Sequence, residues 1–235
     1  MYKITILIPF YNESGNIIRQ LTDLVGTIKK IKNCYFNITL VDDCSTDNSL
    51  IEVEKFIKKN DESIFTLIKH KKNSGKTSAI KSAFKVIKTD FIIFMDGDYQ
   101  DDPKDIISFV EKIISGNEVI IGNQIKNIRF VKKIAALIYK SLLNYFLKIN
   151  VITPSPQYFA IKFDYVKNLI LQDNDHRYLV IISLFNNAKY CEIDVNYFNR
   201  VYGKSKFSDL KIFGAFFETI YLIYRLKKKK YKTLI

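Results

Sequence analysis

Five short runs in the first half of this chain are rich in apolar residues, and the one over 91–95 is apolar at every position. They cover residues 3–10, 36–41, 64–68, 91–95 and 118–121. Between them, residues 15–31, 48–59, 76–88 and 103–115 have helical spacing, as in Ile17, Leu21, Leu24 and Ile28. A strand apolar at every position is buried on both faces, so the intervening helices must supply the cover. The alternation predicts an α/β fold: a Rossmann-like, mainly parallel sheet with helices on both faces. Ser14 and Asp47 are the expected caps of the first two helices.

The second half is less regular. Helices are expected over 129–149, 177–187 and 209–229, and strands over 158–163 and 190–198. No repeat or low-complexity linker divides the chain, so one domain over 1–208 with a C-terminal apolar and basic helix over 209–235 is the economical division. The three cysteines, Cys34, Cys44 and Cys191, are widely spaced without a CxxC pair. They suit reduced thiols and a cytoplasmic setting. The opening Met1–Pro9 is too short for a secretory signal and fits a first strand better.

The net charge of +13 is unevenly distributed. Residues 119–163 hold seven basic side chains and no acidic one, and 201–235 hold nine basic against two acidic. Such segments attract phosphate, anionic membranes or nucleic acid.

The acidic residues concentrate elsewhere. The run Phe91–Met95 ends in Asp96-Gly97-Asp98-Tyr99-Gln100-Asp101-Asp102-Pro103. Carboxylates at the end of a doubly buried strand are costly unless a cation needs them there. Ligands of open parallel sheets bind beyond the strands' carboxyl ends. The loops Pro9–Glu13, Asp42–Asp47 and Asp96–Asp102 should therefore share one crevice. Its carboxylates suit a divalent cation carrying phosphate, or ribose and base donors. Asp47, Asp101 and Asp102 are expected to serve turns and helix starts instead. Neither GxGxxG nor a P-loop follows the first strand, so the first turn does not cradle a pyrophosphate.

Five motifs, in order, resemble those of family 2 glycosyltransferases of the GT-A fold, and most nearly the dolichol- or polyprenyl-phosphate sugar synthases. Pro9-Phe10-Tyr11-Asn12-Glu13 resembles P-x-YNE. Val41-Asp42-Asp43-Cys44-Ser45-Thr46-Asp47 resembles VDDGSTD, with cysteine for glycine. Asn73-Ser74-Gly75-Lys76 with Ala79 resembles N-x-GK-x-x-A. Asp96–Pro103 resembles DADLQHPP, and Arg200–Phe207 the late R-x-x-G-x-SK-aromatic motif. Glycine for alanine at position 97 keeps the small size needed there. The chain departs from the family at Gln124, where arginine is frequent, and at Thr153–Gln157, where an aspartate and a Ser-Gly pair are usual.

The resemblance implies a nucleotide-sugar half over 1–122 and an acceptor half over 123–208. Pro9, Tyr11, Glu13, Asp42, Asp43 and Asp96 would bind the UDP- or GDP-sugar. Asp96, Asp98 and Gln100 would hold Mg²⁺ or Mn²⁺. Asp98 and Arg200 would be catalytic, and Arg129, Lys132, Arg200, Ser205 and Lys206 would contact acceptor or donor phosphate. An acceptor phosphate needs cations rather than a base, whereas an acceptor hydroxyl needs a carboxylate. The implied activity is inverting, metal-dependent sugar transfer to a polyprenyl phosphate. Transfer to a glycan or glycolipid hydroxyl stays open, with Asp173, Asp175 or Asp194 as base. A catalytically inactive binding protein and a basic nucleic-acid-binding protein stay open too, although no DNA- or RNA-binding motif is present. No apolar run is long enough to span a bilayer. The C-terminal helix suits the interface of an anionic membrane, so the expected location is peripheral, on the inner face of the cell membrane.

Overall fold

The computed structural model describes residues 1–124, 130–199 and 211–228, and only the backbone of 130–136, 138 and 211–217. The strands are β1 (Tyr2–Phe10), β2 (Cys34–Asp42), β3 (Phe65–Lys69), β4 (Phe91–Phe94), β5 (Val119–Gln124), β6 (Phe159–Lys162) and β7 (Tyr190–Val195). They form a seven-stranded sheet in the order β3-β2-β1-β4-β6-β5-β7. All neighbouring pairs are parallel except those of β6, which runs antiparallel to β4 and β5.

The helices are α1 (Asn16–Ile28), α2 (Ser49–Lys58), α3 (Lys76–Phe84), α4 (Ile106–Ile114), α5 (Phe130–Leu147), α6 (Leu179–Phe185) and α7 (Lys211–Lys227). They cover both faces of the sheet. Ile4, Ile6, Ile8, Phe91, Ile93 and Ile120 pack with residues of α1, α2 and α4. Leu7, Ile92, Phe94, Val119 and Ile121 pack with residues of α3, α5, α6 and α7. This explains the consecutive apolar positions. Both parities of β4 are buried, each side chain contributing about 1.5–3 kcal/mol of transfer free energy.

Two helix starts differ from expectation. Gly15, with φ 79°, precedes α1 and has no side-chain cap. The Ser14 hydroxyl instead donates to Glu52 Oε1 at 2.6 Å, and the Asn16 and Ile17 amides donate to the Glu13 carbonyl. Asp47 accepts the amide of Ser49 at 2.9 Å from one position before the N-cap Asn48. Several helices are also shorter than expected, α3 and α6 among them. α3 stops at Phe84, and α6 begins only after a 3-10 turn over Asp175–Tyr178.

α7 is fastened to the core by Leu222 and Leu226 and by one buried ion pair. The Arg225 guanidinium donates to both carboxylate oxygens of Asp175 at 3.0 Å, and Asp175 also accepts the Gln172 amide at 2.7 Å. Asp175 is 2% exposed. Asp175, a candidate base only for a hydroxyl acceptor and expected first as a helix cap, is instead a structural anchor. Asp173 and Asp194 lie exposed on the surface. Asp175→Ala removes the buried carboxylate to which both Arg225 nitrogens donate and should cost about 3–5 kcal/mol in urea unfolding. Asp175→Leu combined with Arg225→Leu should recover most of that loss.

Candidate functional site

The order of the sheet reverses at β1: β2 lies on one side and β4 on the other. Such a switch point opens a crevice beyond the carboxyl ends of the two diverging strands. It is bordered here by Tyr11–Glu13 after β1 and Asp96–Asp98 after β4. Pro9 is buried within β1, and Tyr11 and Glu13 are half-buried beyond it.

The first two loops are laced together. The Asn12 amide donates to Ser45 Oγ at 3.0 Å, and the Thr46 amide donates to Asn12 Oδ1 at 2.8 Å. The Glu13 amide donates to Ser49 Oγ at 2.8 Å. Cys44, which stands where the family pattern has glycine, takes a left-handed φ of 66°. This costs a side-chain-bearing residue about 1–2 kcal/mol. The turn it allows brings the Ser45 amide to Asp42 Oδ1 at 3.1 Å.

Asp43 ties the second loop to the start of α3. Its carboxylate accepts the amides of Ser74 at 2.9 Å and Gly75 at 2.7 Å, and lies 2.8 Å from His70 Nδ1. His70 Nε2 is 2.9 Å from Ser82 Oγ. The structure thus gives Asp42 a partner within its own loop and Asp43 partners at the start of α3 and on His70, whereas the sequence points both at a ligand. His70 carries no motif signal, because its partners lie 27 and 12 residues away.

The Asp96–Asp102 loop is held from two sides. Buried Gln20 donates to the Asp96 carbonyl at 2.6 Å and accepts the Tyr99 amide at 3.2 Å. The Tyr99 ring stacks on Phe198 at 5.9 Å between centroids. The Phe198 amide donates to the Gln100 carbonyl at 2.8 Å, and Gln100 Nε2 donates to the Phe198 carbonyl at 3.3 Å. Position 97 is more restrictive than size matching alone suggests. A Cβ there would lie 2.9 Å from Phe10 Cβ and 3.3 Å from Ile17 Cδ1, so glycine fits where alanine would press on Phe10.

Asp96 and Asp98 are joined by a carboxylate assigned to the helix start. Asp102 does serve that start, accepting the Lys104 amide at 3.0 Å. Asp101 instead turns inward and is 1% exposed. Burial, then the charges of Asp96 and Asp98, push its pKa up to about 7. Its Oδ1 accepts from Gln124 Nε2 at 2.8 Å. An arginine at position 124 would bring a charge to this contact, whereas glutamine brings only a dipole. Gln100, the expected third metal contact, directs its amide to Phe198, and the side chain that shares the field of Asp96 and Asp98 is Asp101.

A cation already meets this cluster. Lys76 opens α3, and its ammonium pairs with Asp96 Oδ1. Next to it, Thr77 Oγ1 lies 2.7 Å from His176 Nδ1. Burial, followed by the charges of Lys76 and Arg177, lowers the His176 pKa to about 3, so the ring is neutral at pH 7. Lys76 belongs to a recognised motif, but the sequence does not reveal its pairing with Asp96.

The carboxylates fit a divalent cation. Burial first, and then the charges of Asp96 and Asp98, hold the proton on Asp101 to near neutrality, and a hard cation with oxygen ligands relieves the repulsion among the three. Among the described residues, no three His, Cys, Asp or Glu side chains form a ready-made metal cage. Two carboxylates are the usual protein share of a Mg²⁺ site completed by substrate phosphates. Of the residues expected at the acceptor phosphate, Arg129, Arg200, Ser205 and Lys206 lie outside the described residues. Lys132 lies in α5, where only the backbone is described.

Residues 5–170 match the model of glycosyl transferase family 2. The chain is 35% identical over 147 residues to an uncharacterised protein of Methanocaldococcus jannaschii, covering 61% of this chain and 58% of that protein. It is 26% identical to the undecaprenyl-phosphate 4-deoxy-4-formamido-L-arabinose transferase of Proteus mirabilis, over 93% of this chain and 67% of the other. It is 25% identical to the dolichol-phosphate mannosyltransferase of Pyrococcus furiosus, over 96% and 64%. The chain spans 34% to 68% of the length of these and similar curated relatives. Its fold is similar to that of glucosyl-3-phosphoglycerate synthase from Mycobacterium tuberculosis in complex with Mn²⁺ and UDP-glucose. That match has a TM-score of 0.71 and 13% identity, and covers 94% of this chain and 79% of the other. With the five motifs in order and the family model spanning most of the sheet, the chain belongs to glycosyl transferase family 2.

Proposed function

We propose that this glycosyltransferase transfers a sugar, with inversion, from a UDP- or GDP-sugar to a polyprenyl phosphate at a membrane surface. The observation that carries the donor half is the convergence of Asp96, Asp98 and Asp101 at the sheet's switch point, where Asp101 is pushed up to about 7. Asp96 and Asp98 would hold Mg²⁺ or Mn²⁺ on the donor diphosphate, where the ion would neutralise charge on the leaving nucleoside diphosphate. Pro9, Tyr11 and Glu13 border the nucleotide's place. Asp42 and Asp43 shape it by fixing the turns at Ser45 and Ser74–Gly75.

Support for the acceptor is of a different kind. Two relatives that align over nearly all of this chain carry undecaprenyl-phosphate and dolichol-phosphate in their names. In such a reaction the acceptor phosphate is an anion already, so this chain's task is to offset repulsion between two phosphates. The acid-free segment 119–163 and the Arg200, Ser205 and Lys206 motif supply the residue types for this. No helix among the described residues is long and apolar enough to cross a membrane. Exposed aromatic rings beside basic side chains support contact with an anionic lipid surface. Tyr145 and Phe146 of α5 and Tyr221 and Tyr224 of α7 are exposed. Lys227 Nζ lies 5.1 Å from the Phe146 ring centroid, and Lys228 Nζ lies 4.7 Å from that of Tyr224. Aromatic rings with basic neighbours are what an interfacial helix presents to anionic lipid.

The test is transfer of radiolabelled sugar from UDP- and GDP-sugars, with Mn²⁺ or Mg²⁺, to undecaprenyl phosphate in anionic vesicles. Asp98→Ala should lower transfer by at least about a hundredfold, as expected when a charge-stabilising contact is lost. Label reaching only a hydroxyl-bearing glycolipid would overturn the acceptor assignment.

Asp101 gives a second prediction. Its pKa is raised from 3.8 to about 7 in the folded chain. Its contribution to stability is therefore full at low pH and is lost as pH rises through about 7. In chelator-treated protein, wild type should lose a few kcal/mol between pH 4 and pH 8 relative to Asp101→Asn. Urea unfolding at each pH measures the difference, and saturating Mn²⁺ should shrink it.

A further inference from the structure

Lys76 stands in surroundings that are otherwise unfavourable for a cation. It is the first residue of α3, where the helix macrodipole is positive. Its charge and that of Arg177 both depress the neighbouring His176. The side chain reaches across to Asp96 Oδ1, between loops 20 residues apart. The backbone under it is fixed by Asp43, which accepts the amides of Ser74 and Gly75 just before it. Gly75 takes φ 83°, a conformation that side-chain-bearing residues rarely adopt. The lysine is thus built rigidly into the edge of the carboxylate cluster.

We propose that Lys76 is a resident counter-ion of the Asp96–Asp98–Asp101 cluster, displaced when the divalent cation arrives together with the nucleoside diphosphate. This rests on the donor-and-metal assignment above and goes beyond it. A divalent ion binding alone must take Asp96 from Lys76. The ammonium is then left at a helix N-terminus without the carboxylate it was paired with. A nucleoside diphosphate arriving with the ion offers that ammonium a new anion. Lys76 therefore makes the ion alone bind weakly and makes ion and nucleotide bind as a unit, with the reciprocal coupling that linkage requires. The order protects the site from idle metal occupancy and selects for a charged diphosphate.

The test is Mn²⁺ binding to the full chain, read from the electron paramagnetic resonance of unbound Mn²⁺. Titrations are run with and without UDP or GDP and corrected for Mn²⁺ held by free nucleotide. Wild type should bind Mn²⁺ weakly alone and on the order of tenfold or more tightly with the nucleotide. Lys76→Met should bind Mn²⁺ alone on the order of tenfold more tightly than wild type and lose most of the nucleotide coupling. Lys76→Arg, which keeps the charge, should resemble wild type. Lys76→Gln makes the same comparison if the methionine variant does not fold, as judged by circular dichroism. If the neutral variants bind Mn²⁺ alone no more tightly, or keep the full coupling, the counter-ion role is overturned while the donor site stands. If wild type binds Mn²⁺ neither alone nor with nucleotide, the donor assignment fails, and this proposal with it.

Discussion

Electrostatic repulsion among three carboxylates at the end of a doubly buried strand governs this structure. β4 has no face in water, so Asp96, Asp98 and Asp101 meet where protein replaces most of the solvent that would screen them. The cluster answers in three ways. Asp101 holds its proton to near neutrality, Lys76 pairs with Asp96, and Gln124 and Gln100 turn neutral amide donors toward Asp101 and Phe198. The proton on Asp101 and the Lys76 pair lower the charge of the cluster without abolishing it. The remaining negative potential is what the proposed divalent cation would relieve.

The scaffold around the cluster is rigid for reasons of packing and backbone hydrogen bonding. Gln20, fully buried in α1, clamps the Asp96–Tyr99 backbone from one side. Phe198, just beyond β7, clamps it from the other. Gly97 lets the loop lie against Phe10. Asp43 fixes the turn that presents Lys76. The loop after β4 and the segment just beyond β7 are therefore mechanically joined at Gln100 and Phe198.

The fold is legible because burial on both faces leaves a mark in the sequence. Apolar residues at every position of 91–94 can be satisfied only between two helix layers, and the pairing of β1, β2, β3 and β4 follows. The crevice is legible for a related reason, since carboxylates at the ends of such strands carry a desolvation cost that a bound cation offsets. Long-range competition is not legible. Ser14 has the sequence position of a cap, but Glu52, 38 residues away, takes its hydroxyl. Asp101 and Asp102 are adjacent and chemically identical. The left-handed turn at Tyr99 and the bridge from Asp101 to Tyr197 decide which caps the helix and which faces inward. Asp175 has the sequence setting of a reactive carboxylate, yet Arg225 lies 50 residues on and claims both its oxygens. Local sequence names the residue types at a site, while partners from distant segments decide their orientation.

The central claim is that Asp96 and Asp98 hold a divalent cation against the diphosphate of a nucleotide. The most direct measurement is ³¹P relaxation of UDP or GDP bound to the protein in the presence of Mn²⁺. Strong paramagnetic relaxation of both phosphates is predicted for the wild-type protein, with loss of the effect in Asp96→Asn and Asp98→Asn. Nucleotide that binds equally well with excess chelator, or phosphates that stay unrelaxed by Mn²⁺ in the wild-type complex, would contradict it.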